Sequence, residues 1–479
     1  MLATITGVRM SPWEILAVLS TAVLALVRWF PAGVRRPVSL AAAVVAVVAV
    51  LLLVVSGLRW QLVPVLAATA IVLPFALVPV LRQRAGRRPR RVRWWLALPG
   101  TAAVLALIAV GPLAAWALPT PVFPAPSGPY AVGTTVLEWT DPERPERFTA
   151  EPGDRRTVPV QLWYPAQAGQ AQAARSFQGA RTAQEARDVQ NALADSFGIP
   201  RFLVSDVTSA RTAAVFDAPL VEDAGKFPVI VFSPGLSGVR TSTIVLAQEW
   251  ASRGYVVATL DHPYDSALTF TDGKPVRSRN QDAVTGDPEK DRRAVKANVD
   301  VRAADIRFVL GQLERLDRGE EASPLKGRLD TRRAAAVGHS RGGAAAMAAA
   351  QDARFRAVID IDGGLRDAGV RPFAQPALAI TSPVSVSENA DFVPDLDGVL
   401  DKGGATKYRL NLPGTGHLSF TDAALYFPPL PSLLGTVDRA EGLRVTADAT
   451  TAFLDSALRG DPGGAAGELG AHGDLTVYE

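Results

Sequence analysis

Four apolar stretches fill the first 118 residues of this 479-residue chain: Trp13–Trp29, Pro37–Val55, Leu62–Leu81 and Trp94–Leu118. Each approaches the ~20 residues that an α-helix needs to cross a bilayer core. A cleaved leader contains a single such stretch, so that explanation covers at most the first. Six of the nine tryptophans (Trp13, Trp29, Trp60, Trp94, Trp95 and Trp116) lie at the ends of these stretches, where amphipathic rings prefer the headgroup region. Residues 1–118 are therefore expected to form an all-α region of four transmembrane helices, with the lipid bilayer as partner.

Arginines give the orientation. Arg82, Arg84, Arg87, Arg88, Arg90, Arg91 and Arg93 lie between the third and fourth stretches, and Arg35 and Arg36 beside Arg28 lie between the first and second; the loop between the second and third has Arg59 alone. Cationic loops stay in the cytoplasm, which puts both termini and all of residues 119–479 on the outer side of the cell membrane. The first 118 residues hold twelve Arg and one acid, a balance of +11; the whole chain carries +3, so the remainder carries −8. A mildly acidic outer domain argues against a nucleic-acid partner. Zero cysteines exclude a cysteine nucleophile and thiolate metal sites, and suit either a reducing compartment or an exported domain large enough to fold without disulfides.

Pro119–Pro129, with its five prolines, reads as a stiff spacer, so 119–133 is taken as a linker and 134–460 as the outer domain. Thr134–Trp139 and Val158–Tyr164 suggest an opening β-hairpin. Phe227–Phe232 and Tyr255–Leu260 are continuous apolar runs, as buried parallel strands require, with a helical pattern at Thr241–Arg253 between them. Val299, Ala303, Ile306, Leu310 and Leu313 mark one face of an amphipathic helix. Further strands are expected at Ala357–Ile361, Ala377–Ile380 and Tyr408–Leu412, and a closing helix at Leu443–Leu458. This alternation predicts an α/β sandwich with a mainly parallel sheet. Residues 167–225 interrupt it and read as an insertion near the site, helical over Gln167–Ala194. The Gly-rich tail 461–479 reads as flexible.

Within this frame, Gly338-His339-Ser340-Arg341-Gly342 lies between a β-like run, Arg333–Val337, and a helical run, Gly343–Ala350. A Gly-x-Ser-x-Gly sequence in that setting is a nucleophile elbow: a sharp strand-to-helix turn that lifts the serine hydroxyl above the sheet and sets the next N–H at a helix N-terminus. The serine needs a base, and the chain has four histidines. His472 lies in the tail, His339 inside the elbow, and His262 precedes the serine. His417, in Pro413-Gly414-Thr415-Gly416-His417, follows the last strand and completes the chain order serine, acid, histidine. For the acid, spacing leaves two residues open. Asp362 ends the strand after the elbow helix, and Asp391 lies in the loop after the next strand; Asp360 reads as a buried, hydrogen-bonded strand residue. The oxyanion donors are expected to be the backbone N–H of Arg341 and that of Leu236, in the loop Ser233-Pro234-Gly235-Leu236-Ser237-Gly238.

The runs Val231–Thr241, Gly338–Ala344 and Arg354–Asp362, and Gly416-His417 followed by Ser419-Phe420-Thr421-Asp422, resemble platelet-activating factor acetylhydrolases of the plasma type and their bacterial relatives. The similarity covers about residues 125–460. It implies the α/β-hydrolase fold, Asp362 rather than Asp391 as the acid, Leu236 and Arg341 as oxyanion donors, and no metal or other cofactor. It also implies hydrolysis of short or oxidised acyl chains from phospholipids. Two departures bear on the acyl pocket: Arg341 stands where an aromatic is common, and Pro234 where histidine is frequent. The same constellation could serve a non-lipid ester or polyester hydrolase or an acyltransferase, and a non-catalytic membrane module is the alternative from another class.

Overall fold

The structure is a computed structural model that describes residues 10–86, 93–149, 151, 153–169, 175–222, 225–280, 285–365, 368–460 and 465–479. Arg87, Arg88, Arg90 and Arg91 lie outside these residues, as does part of the expected Gln167–Ala194 helix. The chain divides into two units, residues 1–120 with 426–428, and residues 121–425 with 429–479.

The first unit holds helices α1 (Pro12–Leu26), α2 (Ala32–Ser56), α3 (Val63–Arg84) and α4 (Trp94–Ala117). With single 3₁₀ turns extending α1 and α3, all four are long and apolar enough to cross a membrane. The Ser11–Glu14 capping box starts α1, with Pro12 in its first turn, satisfying N–H groups that would otherwise lack partners. Buried contacts are made by small residues, Ala17, Ala46, Ala49, Ala68 and Ala115. A Cβ on Gly111 would lie 2.6 Å from Val65 Cγ2, so α4 approaches α3 only because that side chain is missing. Leu51, Val55, Phe75, Leu81 and Leu113 point outward. Alanines at the close helix contacts with large apolar residues facing outward are compatible with helices packed in a membrane.

The second unit is built on an eleven-stranded sheet. In chain order its elements are β1 (Ala131–Pro145), β2 (Arg155–Ala166), β3 (Arg175–Phe177), α5 (Ala183–Ser196), β4 (Arg211–Phe216), β5 (Phe227–Ser233), α6 (Ile244–Ser252) and β6 (Val256–Leu260). There follow β7 (Leu268–Thr271), β8 (Lys274–Arg277), α7 (Pro288–Arg318), β9 (Leu329–His339), α8 (Arg341–Ala349), β10 (Phe355–Ile361), β11 (Ala377–Thr381), α9 (Pro383–Glu388) and α10 (Phe392–Leu400). The chain closes with β12 (Lys407–Asn411), α11 (Pro431–Leu434), α12 (Glu441–Leu454), α13 (Ala465–Gly470) and β13 (Asp474–Tyr478). The strand order is β13-β12-β11-β10-β9-β5-β6-β2-β1-β4-β3, with β7 and β8 forming a separate hairpin. From β6 through β5, β9, β10 and β11 to β12 every pairing is parallel. This is the mainly parallel α/β sheet expected from the sequence.

Every residue of β5 and β6 is buried, because helices cover both faces. Val229 and Val231 pack with Val299, Ile306, Leu310 and Leu313 of α7 and with α8. On the opposite face Phe232 meets Trp250 of α6 at 6.1 Å between rings, and Trp250 Nε1 donates to Thr450 Oγ1 of α12 at 3.1 Å. Strand alternation thus feeds two helix layers.

Three sequence expectations are corrected here. Residues 167–225 are not merely an insertion: β4 pairs in parallel with β1 and β3 antiparallel with β4, widening the sheet, and the helix is Ala183–Ser196 rather than Gln167–Ala194. The tail is not flexible over its described residues. β13 pairs antiparallel with β12 from Lys407↔Tyr478 to Asn411↔Asp474, and the Tyr478 hydroxyl bonds Asp397; pairing with an otherwise open edge satisfies a row of backbone groups. The linker is shorter than 119–133, because Ser127 N donates to Glu249 Oε2 at 2.8 Å and Gly128 N to Ser252 Oγ at 3.0 Å, docking the proline-rich stretch on α6.

Candidate active site

Ser340 stands between β9 and α8 with φ 57° and ψ −127°, a backbone region that is costly for a residue with a side chain. The turn is tight because its neighbours are glycines. A Cβ on Gly338 would lie 2.1 Å from Gly342 O, and one on Gly342 would lie 2.0 Å from Ser233 O of the adjacent strand end. Ser340 N donates to Ile361 O at 2.9 Å, tying the elbow to β10.

The sheet's carboxyl edge gathers the other expected residues. His417 opens a 3₁₀ turn after β12, and its Nε2 is 3.0 Å from Ser340 Oγ. Its Nδ1 is 2.7 Å from Asp362 Oδ2. Asp362 follows β10 with φ 54° and accepts from Ser382 N at 2.7 Å, Ser382 Oγ at 3.1 Å and Ser385 Oγ at 2.6 Å. Burial opposes its charge, but the hydrogen bond and charge of His417 and the serine donors outweigh it and hold the carboxyl below its usual range. An ionised Asp362 fixes the proton on His417 Nδ1 and leaves Nε2 free to accept from the serine. Asp391 is exposed at the start of α10, its N–H bonded to Asn389 Oδ1, and takes no part in this cluster.

The remaining histidines take other places. His339 is buried under the turn; its Nε2 donates to His417 O at 3.0 Å and its ring lies 4.7 Å from the His417 ring. Burial, and then the nearby His417, lower its pKa to about 3, so it is a neutral donor that steadies the His417 backbone. His472 N donates to Leu469 O in the turn before β13. His262, fully buried, bridges Ser233 Oγ and Asp305 Oδ2, each at 2.8 Å.

Asp360 departs from expectation. It is buried, and neither carboxyl oxygen makes a hydrogen bond of good geometry among the described residues; the backbone N–H of Gly363 opposes its protonation only weakly. Burial, and then the charge of Asp362, push its pKa well above the usual value. The folded state therefore keeps a proton that the unfolded chain releases near pH ~3.9. Its effect on stability is most favourable below that pH and declines as pH rises toward the folded value. Asp360→Asn, neutral at all pH, should raise the melting temperature relative to the parent by more at pH 8 than at pH 4. Circular dichroism melts at the two pH values check the sign.

Both expected oxyanion donors have open N–H groups. Arg341 N lies in the first turn of α8, Leu236 N lies in the loop after β5, and among the described residues neither donates to a protein acceptor. The loop that carries Leu236 comes close to the elbow at Gly235, where a Cβ would lie 3.2 Å from Ser340 Cβ. Ser382 and Ser385 are additions to the expected set, and their Ser-x-x-Ser spacing directly after a strand is the signal that marks them. Arg302 is another, a charged residue inside the apolar stripe of α7.

A family model described as platelet-activating factor acetylhydrolase, isoform II, matches residues 117–462. The platelet-activating factor acetylhydrolase of Cavia porcellus is 27% identical over 363 residues, which cover 70% of this chain and 78% of that one. The Gallus gallus acetylhydrolase is 26% identical over 376 residues, 70% and 83% of the two chains. A solved structure of a ferulic acid esterase from Streptomyces cinnamoneus is similar with a TM-score of 0.59 at 27% identity, covering 75% of this chain and 100% of the esterase. On the match over residues 117–462 and the ester hydrolases that surround it, the chain is an ester hydrolase and belongs to the platelet-activating factor acetylhydrolase isoform II family.

Proposed function

We propose that the chain is a membrane-anchored serine ester hydrolase whose outward-facing domain releases short or oxidised acyl chains from phospholipids. The observation that carries the serine mechanism is the unbroken hydrogen-bonded series from Ser340 Oγ through His417 to Asp362. His417 Nε2 takes the Ser340 hydroxyl proton as Oγ bonds the ester carbonyl carbon. The oxyanion is held by the N–H groups of Leu236 and Arg341. Collapse expels the alcohol, here a lysophospholipid, which receives the proton from His417, and water then repeats the sequence to free the acid. The phospholipid substrate rests on the acetylhydrolase relatives, and the membrane anchor on the four long apolar helices with their arginine-rich first and third loops.

Two measurements test these parts separately. Full-length protein in detergent micelles should hydrolyse a short-acyl phosphatidylcholine with a higher kcat/KM than p-nitrophenyl acetate. The reverse order, with feruloyl esters preferred, would favour the substrate class named for the Streptomyces relative. Because the chain has no cysteine, Glu143→Cys, on an exposed part of β1, provides a single thiol. A membrane-impermeant maleimide should label it in intact cells; labelling only after lysis would reverse the proposed orientation.

A further inference from the structure

We infer that Arg302 is a positioning residue that sets the Leu236 N–H of the oxyanion loop; this rests on the serine ester hydrolase reading above. Arg302 lies on α7, which starts at the Asp287 cap and ends at Gly319 in the left-handed conformation, and its side chain has no exposure. Its guanidinium fork spans two successive carbonyls of the loop: Nη1 donates to Pro234 O at 2.5 Å and Nη2 to Gly235 O at 3.0 Å. Nε donates to Asp265 Oδ2 at 2.6 Å. Asp265 also accepts from Asn298 at 2.7 Å, from Asn280 at 2.9 Å, and from Ser237 N at 3.4 Å.

The loop is thus gripped on both sides of Leu236, by its carbonyls before and by an N–H after. Across a trans peptide the carbonyl of Gly235 and the N–H of Leu236 point in opposite directions. Fixing Gly235 O toward Arg302 therefore turns the Leu236 N–H away from α7. Gly235 itself packs against Ser340 and His339. Preorganised donors of this kind stabilise developing charge without reorganisation during the reaction. Burying a guanidinium is costly unless it is paired and fully hydrogen-bonded. Here Asp265 supplies the charge, with Arg302 holding that carboxyl ionised against the effect of burial.

A second buried series backs the first. Ser233, the last residue of β5, bonds His262, which bonds Asp305, which in turn accepts from Arg156 Nη2 at 2.7 Å and Arg144 Nη1 at 2.8 Å. Burial, with Arg302 nearby, depresses the His262 pKa, so it remains a neutral link. Ser233, His262 and Asp305 are all fully buried, and their part is to hold the strand end from which the loop departs.

The test uses full-length Arg302→Met and Arg302→Lys with p-nitrophenyl butyrate, normalised to active sites by burst titration. For Arg302→Met, kcat per active site should fall about 10²–10³-fold, the usual effect of losing one oxyanion donor, with KM changed less than about threefold. Affinity for a trifluoromethyl ketone, which forms the oxyanion, should fall in parallel. Arg302→Lys keeps a charge against Asp265 but cannot span both carbonyls, so it should show the same two losses at smaller size, and it decides the matter if Arg302→Met does not fold. A lowered melting temperature with kcat per site and ketone affinity both unchanged would make Arg302 merely structural and overturn the inference. Retained activity in Ser340→Ala would instead overturn the underlying hydrolase mechanism, a separate result.

Discussion

Ser340→Ala is expected to reduce kcat for p-nitrophenyl acetate or butyrate by about 10⁶-fold, the scale on which removing the nucleophile of such a unit acts. The protein should still fold. The strain at Ser340, φ 57°, is imposed by neighbours and not by its hydroxyl: Ser340 N remains bonded to Ile361 O, and Gly343 N and Ala344 N to Ser340 O. Removing Oγ takes away only the partner of His417 Nε2, which solvent can replace. Loss of hydrolysis with an unchanged melting temperature therefore isolates the nucleophile from the scaffold. Activity equal to the parent would remove Ser340 from the mechanism.

Asp362→Asn should lower kcat by about 10⁴-fold, and the surroundings explain why the loss should be large. Ser382 N donates to Oδ1, so an asparagine would place its carbonyl oxygen there and its amide nitrogen at the Oδ2 position, facing His417 Nδ1. That nitrogen donates, which forces the imidazole proton onto Nε2 and blocks acceptance from Ser340. The backbone hydrogen bond from Asp362 N to Ile380 O, 2.7 Å, does not depend on the side chain, so the fold should persist. Asp391→Asn, on the exposed start of α10, should stay within about threefold of the parent by the same steady-state assay, as expected for a surface change far from such features. Equal losses in the two variants would undo the choice of acid.

Much of this arrangement was readable because it is local in sequence. The elbow is five consecutive residues between a strand and a helix, Asp362 directly follows β10, and His417 lies in the loop after β12, so a parallel sheet carries all three to one edge. Spacing left Asp362 and Asp391 both open, and the resemblance favoured Asp362; the structure brings Asp362 to His417 and leaves Asp391 at the surface. Other features were hidden for physical reasons. β4, which lies between β1 and β3, and β13, at the opposite edge of the sheet, pair with partners far along the chain, and the glycines before β13 mask its alternation. One of them is required: a Cβ on Gly473 would lie 2.2 Å from Asn411 O. Arg302 and Asp305 are charged residues on a helix, which composition assigns to solvent. Only their placement between Val299, Ile306 and Val309, all buried, marked them as internal. Their partners at Ser233, Asp265 and His262 are brought together by the sheet and cannot be inferred from spacing.

The most direct measurement of the nucleophile is the site of covalent modification by a fluorophosphonate, located by mass spectrometry of the digested full-length protein. A single adduct on Ser340, formed far more slowly in His417→Ala, is the expected result. An adduct on Ser233, whose hydroxyl also bonds a histidine that in turn bonds an aspartate, or rapid labelling that persists in Ser340→Ala, would contradict the assignment of Ser340.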